Sequence, residues 1–246
     1  MSVNKLLSRI VAPHVEDMAQ PKGKSQYAAV LHDHTYGITS DPLTQFAVVF
    51  SALVHDIDHR GVSNAQLAQE ERALANTYRN KSIAEQNSVD IAMKLLQQEE
   101  YSKLRACIYA NDDEKNRFRQ IVVNSVMATD IFDKELTSLR KSRWNKAFAP
   151  SSNESAILAR NRKATIVIEH LIQASDVSHT MQHWHIYRKW NERLFRESCI
   201  AWTQGRATLN PAAGWYEGEI WFFGKSVKLH LLLQIMVVHL TLSFHR

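Results

Sequence analysis

The sequence predicts an all-α chain, and three observations carry that prediction. Glycine and proline are scarce, at 7 and 5 in 246 residues, whereas sheet-rich folds need frequent turns built on them. Apolar residues recur at the three-to-four-residue spacing of amphipathic helices. Helix-starting signals stand ahead of several of those runs. Apolar residues make up 45% and charged residues 22%, which suits a globular chain with a sizeable core and excludes a disordered one. No repeat, low-complexity tract or linker divides the sequence, so residues 1–246 are read as one domain.

The elements follow in order. Residues 12–27 are polar and hold Pro13, Pro21 and Gly23, which predicts a surface loop. His32-Asp33-His34 is read as part of a further loop ahead of Asp41. Asp41-Pro42 is an N-cap with proline at the first helical position. Leu43, Phe46, Ala47, Phe50 and Val54 follow at helical spacing and deliver His55-Asp56 at the helix end, with Gly61 marking a turn. Ser63-x-x-Gln66 and Ser82-x-x-Glu85 both fit a capping box. Phe118, Ile121, Val122, Ser125, Val126 and Thr129 mark one helical face. Residues 149–156 predict a second surface loop. Ile168, Leu171, Ile172 and Ser175 mark a face leading to Asp176. Trp184, Tyr187, Asn191, Leu194 and Phe195 mark another. Eight to ten helices and no strand are expected.

Lysine plus arginine exceed aspartate plus glutamate by 30 to 25. The excess is mild, dispersed and without interleaved aromatics, so no nucleic-acid partner is expected; it is compatible with an anionic small molecule. Cys107 and Cys199, the two cysteines, form no C-x-x-C and no disulfide framework, which points to a reducing, cytoplasmic compartment. No signal peptide is read at the N-terminus. Leu229–Leu242 is apolar but short and interrupted by His230, Gln234 and His239, so no membrane span is expected. Any membrane tether would belong to a longer protein.

The strongest chemical signal is His55-Asp56-Ile57-Asp58-His59. Adjacent His and Asp at a helix end present one nitrogen and one carboxylate at a single point. Imidazole suits transition metals, and a carboxylate can bridge two divalent ions. Following a run as apolar as Phe46–Val54, such groups are expensive to bury without a metal or partners. Asp176, in Ala174-Ser175-Asp176-Val177-Ser178, is a second candidate at a helix end, and Thr129-Asp130 a third; a plain cap or a buried hydrogen bond is the simpler reading of each.

The run His55-Asp56-Ile57-Asp58-His59-Arg60-Gly61-Val62-Ser63-Asn64 resembles the H-D-[VI]-D-H-x-G-x-x-N signature of class I cyclic-nucleotide phosphodiesterases, a group of HD-type metal phosphohydrolases. Further matches follow in order. The segment from Tyr78 through Ser82 and Glu85 resembles Y-x-x-x-S-V-x-E-x-H. Val126–Asp130 resembles V-L-A-T-D, Ala174–Ser178 resembles A-D-[LI]-S, and Tyr187–Trp190 resembles Y-R-x-W. Glu217–Phe223 falls where the family carries Q-x-x-F. The resemblance covers about residues 3–223, and residues 224–246 diverge. It implies an all-helical fold, hydrolysis of cAMP or cGMP as the cyclic nucleotide substrate, and two divalent ions, zinc with magnesium or manganese. By position it implies His55, Asp56 and Asp176 as metal ligands, with Asp56 bridging. His59 and Glu85 fall at positions that orient waters and ligands; Phe222 and Leu194 match the two sides of a purine clamp, with Glu219 and His179 at base-contacting positions.

The chain also departs from that pattern. No H-N-x-x-H occurs in it, the motif that in the family supplies the general acid and the remaining zinc ligand. Aligned through Val3–Ile10, the motif would precede Met1, and truncation is the expectation; His32-Asp33-His34 is the tempting substitute for the absent histidines, with a plain loop its simpler reading. Glutamine is usual where Glu219 stands, and asparagine is common where His179 stands. His179, His183 and His185 are read as a surface histidine group. Two other readings therefore stand beside hydrolysis: a catalytically silent nucleotide-binding module, and a different HD-type phosphohydrolase.

Overall fold

The computed structural model describes residues 2–11, 24–149 and 155–227. Twelve α-helices and no strand lie among them, so the all-α expectation holds and the expected eight to ten helices is low. They are α1 (Ser2–Val11), α2 (Lys24–His34), α3 (Pro42–Val54), α4 (Asn64–Glu70), α5 (Arg72–Thr77), α6 (Ile83–Leu96), α7 (Ser102–Ile108), α8 (Asp112–Met127), α9 (Lys134–Phe148), α10 (Ala156–Asp176), α11 (Trp184–Thr203) and α12 (Trp215–Trp221). The difference in number comes from short helices such as α4, α5 and α7, whose one or two turns leave too little periodicity to see in sequence.

Helix α3 starts as its sequence dictates. The Asp41 carboxylate accepts from the Thr44 backbone N–H at 3.3 Å, and Pro42 takes the first position, where no N–H is needed. Its two flanks serve two cores. Val48 packs with Val3 and Leu7 of α1 and with Val167, Ile168, Leu171 and Ile172 of α10. Ala47 and Val54 pack with Val89, Ala92 and Leu96 of α6 and with Phe118, Val122 and Val126 of α8. Phe118 anchors the second core among Phe46, Phe50 and Tyr109, with ring centroids 6.1, 5.5 and 6.0 Å away.

Helix α10 is buried along most of its second half, including Glu169, which pairs with Arg143 of α9, and Gln173, which donates to the Ala128 carbonyl at 2.7 Å. This packing brings the C-terminal ends of α3, α8 and α10 together.

Three local expectations are corrected. Residues 24–27, expected in a loop, open α2; the rest of that stretch lies outside the described residues. His32-Asp33-His34 forms the last turn of α2 rather than a loop. Ser82 does not cap α6: it sits at φ 39°, its side chain makes no cap bond, and its Oγ donates instead to Asp130 at 2.7 Å. A buried carboxylate 48 positions away outcompetes the local backbone for that hydroxyl. Ser63, by contrast, caps α4 through the Gln66 N–H at 3.3 Å. Of the expected loop at 149–156, residues 150–154 and likewise the run Leu229–Leu242 lie outside the described residues. Among those described, no helix is long and apolar enough to cross a membrane.

Candidate active site

His55 caps the C-terminal end of α3, and Asp176 is the last residue of α10. The His55 Nδ1–H faces the Ala52 carbonyl at 3.1 Å, which turns Nε2 toward two carboxylates. Nε2 is 3.0 Å from Asp56 Oδ2 and 3.5 Å from Asp176 Oδ1. Neither approach is aligned as a hydrogen bond, so Nε2 is a buried nitrogen without a hydrogen-bond partner. A neutral ring would aim a lone pair at two anions. Burial opposes charge on the ring, but the Asp176 and Asp56 carboxylates prevail and push His55 up to about 10. The His55 ring in turn holds the Asp56 carboxyl below its usual range. Two helix C-termini add partial negative charge at the same point. The site calls for a cation.

The donors suit a divalent ion in kind: one imidazole nitrogen and two carboxylate oxygens. Two donors on one tetrahedral zinc stand about 3.4 Å apart, close to both spacings here. Among the described residues, however, no group of three or more His, Cys, Asp or Glu side chains, His55, Asp56 and Asp176 included, is placed to hold a metal ion as the side chains stand. A cavity of about 120 Å³ opens over His55 and Asp176, lined also by Thr129, Ser175 and Val3 of α1.

The turn after α3 is fixed from several sides. Asp58 and Gly61 both take left-handed conformations, at φ 62° and 68°. The Ser88 hydroxyl of α6 donates to the Ile57 carbonyl at 2.8 Å, and Asp58 pairs with Arg60 at 3.2 Å. The Gly61 N–H donates to His59 Nδ1 at 3.2 Å. His59 itself is exposed. A side chain at Gly61 would stand 3.0 Å from the Glu197 carboxylate of α11, a tight contact that Glu197 must yield to, while the φ itself favours glycine.

Glu85 joins a buried polar network. Asn64 Nδ2 donates to Glu85 Oε2 at 2.9 Å and lies 3.4 Å from Asp130 Oδ2, while Asn64 Oδ1 accepts from the Ala84 N–H. Burial raises the Glu85 carboxyl above its usual range. Asp130 is 6% exposed and accepts from Ser82 and from the backbone N–H groups of Phe132 and Asp133. It is thus a buried hydrogen-bonding hub, the simpler of its two readings. Asn64 was legible only as a motif letter; its role as the link between Glu85 and Asp130 had no sequence signal.

The base-contacting candidates lie on α11, α12 and their neighbours. The Tyr187 hydroxyl donates to Glu219 Oε2 and accepts from Asn191 Nδ2 at 3.2 Å; Trp215 Nε1 donates to Asn191 Oδ1 at 3.1 Å. Burial and the Glu219 carboxylate raise the Tyr187 hydroxyl well above its usual value. Phe222 opens a π-helical turn after α12, with Phe223, not Phe222, edge-on to Tyr187 at 5.4 Å. Leu194 is about half exposed on α11. His179 stays near Asp176 through its Nδ1, 3.1 Å from the Asp176 carbonyl. His183 and His185 face each other at 2.7 Å on the surface. His32 and Asp33 engage Arg160 at 2.9 and 3.1 Å. Arg160 lies about 24 Å along α10 from Asp176 by helical rise, so His32 is anchored away from His55.

The chain is 30% identical over 195 residues to the probable 3′,5′-cyclic-AMP phosphodiesterase pde-4 of Caenorhabditis elegans, which covers 78% of the chain and 27% of that protein. It is 30% identical over 158 residues to the 3′,5′-cyclic-AMP phosphodiesterase 4C of Mus musculus, covering 63% and 22%. The chain thus spans about a quarter of the length of these curated relatives. In structure it resembles the phosphodiesterase domain of the Salpingoeca rosetta rhodopsin phosphodiesterase, with a TM-score of 0.63 and 20% identity over 99% of this chain and 75% of that one, a likeness of fold. The profile of the 3′5′-cyclic nucleotide phosphodiesterases matches residues 25–210, and the chain belongs to that family.

Proposed function

We propose that this chain carries a site for hydrolysis of the 3′,5′-cyclic phosphodiester of a purine nucleotide, cAMP as in the named relatives, or cGMP. The observation that carries the reading is the approach of Asp176, from the end of α10, to the His55 ring that Asp56 also faces. His55, Asp56 and Asp176 would hold zinc, with Asp56 shared with magnesium or manganese. Such a pair of ions supplies a nucleophilic water at neutral pH and neutralises phosphate oxygens. His59 and Glu85 orient waters at its edge, Glu85 being positioned by Asn64. Glu219, Phe222, Leu194 and His179 receive the purine.

Water adds to phosphorus as the P–O3′ bond breaks, and the departing O3′ must gain a proton. The family's acid is the first histidine of H-N-x-x-H, absent from these 246 residues. A positioned general acid contributes about 10²–10⁴-fold, so slow turnover is expected from the chain as given. Val3 lines the His55–Asp176 cavity, which supports the view that a segment ahead of α1 could deliver that histidine. The missing motif also favours a second reading, a silent nucleotide-binding module.

The test is a side-by-side assay of cAMP, cGMP and a generic phosphomonoester, using the chain, its Asp56→Ala variant, and a form bearing H-N-x-x-H ahead of α1. The expected result is weak cyclic-nucleotide turnover lost in Asp56→Ala and raised in the extended form. Preference for the phosphomonoester would replace the reading with another HD-type phosphohydrolase. Binding without turnover in both forms would establish the silent module. Full activity abolished by substituting His32 or His34 would move the catalytic role to α2.

A further inference from the structure

We propose that the cleft between the His59–Gly61 turn and the second half of α11 binds a small, multiply charged phosphate anion, of the class of pyrophosphate or a nucleoside polyphosphate. The cleft has a volume of about 440 Å³, and four arginines, Arg60, Arg193, Arg196 and Arg206, line it around Gly61 and Glu197. It shares no lining residue with the cavity over His55 and Asp176. It is thus a separate concavity, although His59 and Leu194 stand next in sequence to its Arg60 and Arg193.

The four guanidiniums differ in how far they are already committed. Arg206 grips Glu70 through two N–H groups at 2.7 and 2.9 Å and is held in place. Arg60 pairs with Asp58 at 3.2 Å. Arg193 lies over the Trp190 ring, 4.8 Å from its centroid, a contact that orients the guanidinium without neutralising it. Neither Arg193 nor Arg196 has an acidic partner among the described residues. Three apart on α11, they project from the same face. Glu197 is the one carboxylate in the lining, and its Oε1 is turned against Gly61.

The cleft thus offers two guanidiniums without an ion-pair partner on one wall, beside Glu197, and Arg60, shared with Asp58, on the other. Guanidinium forks match phosphate oxygens with paired N–H donors. Charges on facing walls of a concavity fit a ligand with more than one phosphate that fills the space between them. The cleft's remaining lining, Ile200 and Ala201, gives an apolar patch on which a nucleoside could rest.

Calorimetric titration of the 246-residue chain in EDTA, with pyrophosphate and separately with ATP, tests the proposal. Saturable binding is expected, with Arg193→Gln/Arg196→Gln weakening it by at least about tenfold. Arg193→Lys/Arg196→Lys, which keeps charge and fold but removes the forks, should lose less. Arg188→Gln, on the same helix but paired with Glu192, should bind as the unaltered chain does, and so should Asp56→Ala. Tighter binding of ATP than of pyrophosphate assigns a nucleoside polyphosphate; equal binding assigns the phosphate chain alone. No saturable binding, an equal loss in Arg188→Gln, or loss in Asp56→Ala would overturn the site.

Discussion

An imidazole nitrogen buried between two carboxylates must carry positive charge or share a cation with them, and His55 is in that position. Asp56 is the carboxylate nearer to it. Asp56→Ala is therefore expected to remove bound zinc after dialysis against trace metal, as read by metal analysis; equal content in both proteins would dismiss Asp56 as a ligand. Glu219 raises a different question. Tyr187 commits its proton to one Glu219 oxygen, and an ionised carboxylate can only accept with the other. Adenine offers N6–H but leaves N1 unpaired; guanine offers N1–H but sets O6 against the carboxylate. Glu219→Gln adds a donor, and tighter binding of cAMP or cGMP by about tenfold is expected. Unchanged constants for both nucleotides would mean that Glu219 does not meet the base.

The turn from His55 to Gly61 shows what single elements contribute. Gly61 is favoured by its φ of 68°, and the Glu197 carboxylate lies close against it. Gly61→Ala is expected to cost about 1–3 kcal/mol by denaturant unfolding. In a Glu197→Ala background the cost should shrink to the conformational part, because the clash is gone; an undiminished cost would show that the clash was not felt. The start of α6 carries the second case. Glu85 is a half-buried carboxylate raised above its usual range, so its ionised form opposes folding. Glu85→Gln keeps an acceptor for Asn64 and removes the charge. The melting temperature at neutral pH should rise by about 2–4 °C. That advantage should narrow as pH falls through the raised Glu85 value, where the native carboxyl is itself neutral. Cyclic-nucleotide turnover should fall in the same variant, if Glu85 orients water as proposed.

Across the molecule, the junction of α3, α8 and α10 links stability to its occupant. In EDTA, His55 holds a proton up to about 10 in the fold and up to about 6.5 when unfolded. Its contribution is then complete below the lower value and is lost progressively as pH rises through the upper one. Denaturation midpoints in EDTA should decline over that interval, and His55→Gln should flatten the decline. Loading zinc should flatten it as well, since a bound ion removes the need for the proton. A wild-type decline identical to that of His55→Gln would show that the ring is not the titrating group.

Helix class and several helix starts were legible because they depend on residues within four positions: Asp41 with Thr44, Ser63 with Gln66, and the spacing of Phe118, Val122 and Val126. Family membership was legible because its motifs are short runs of adjacent residues. Other features belong to packing. Ser82 abandons its cap for Asp130, and His32-Asp33-His34 joins α2 and docks on Arg160. Asp176 reaches His55 because α10 lies against α3, and four arginines from two segments share one cleft. The sequence by itself determined the elements and the chemistry available at their ends, because short-range hydrogen bonds and periodicity act along the chain. That His55, Asp56 and Asp176 belong together was legible only through the family motifs; what brings those ends into one place is tertiary packing, because burial of apolar faces joins residues that share no local interaction.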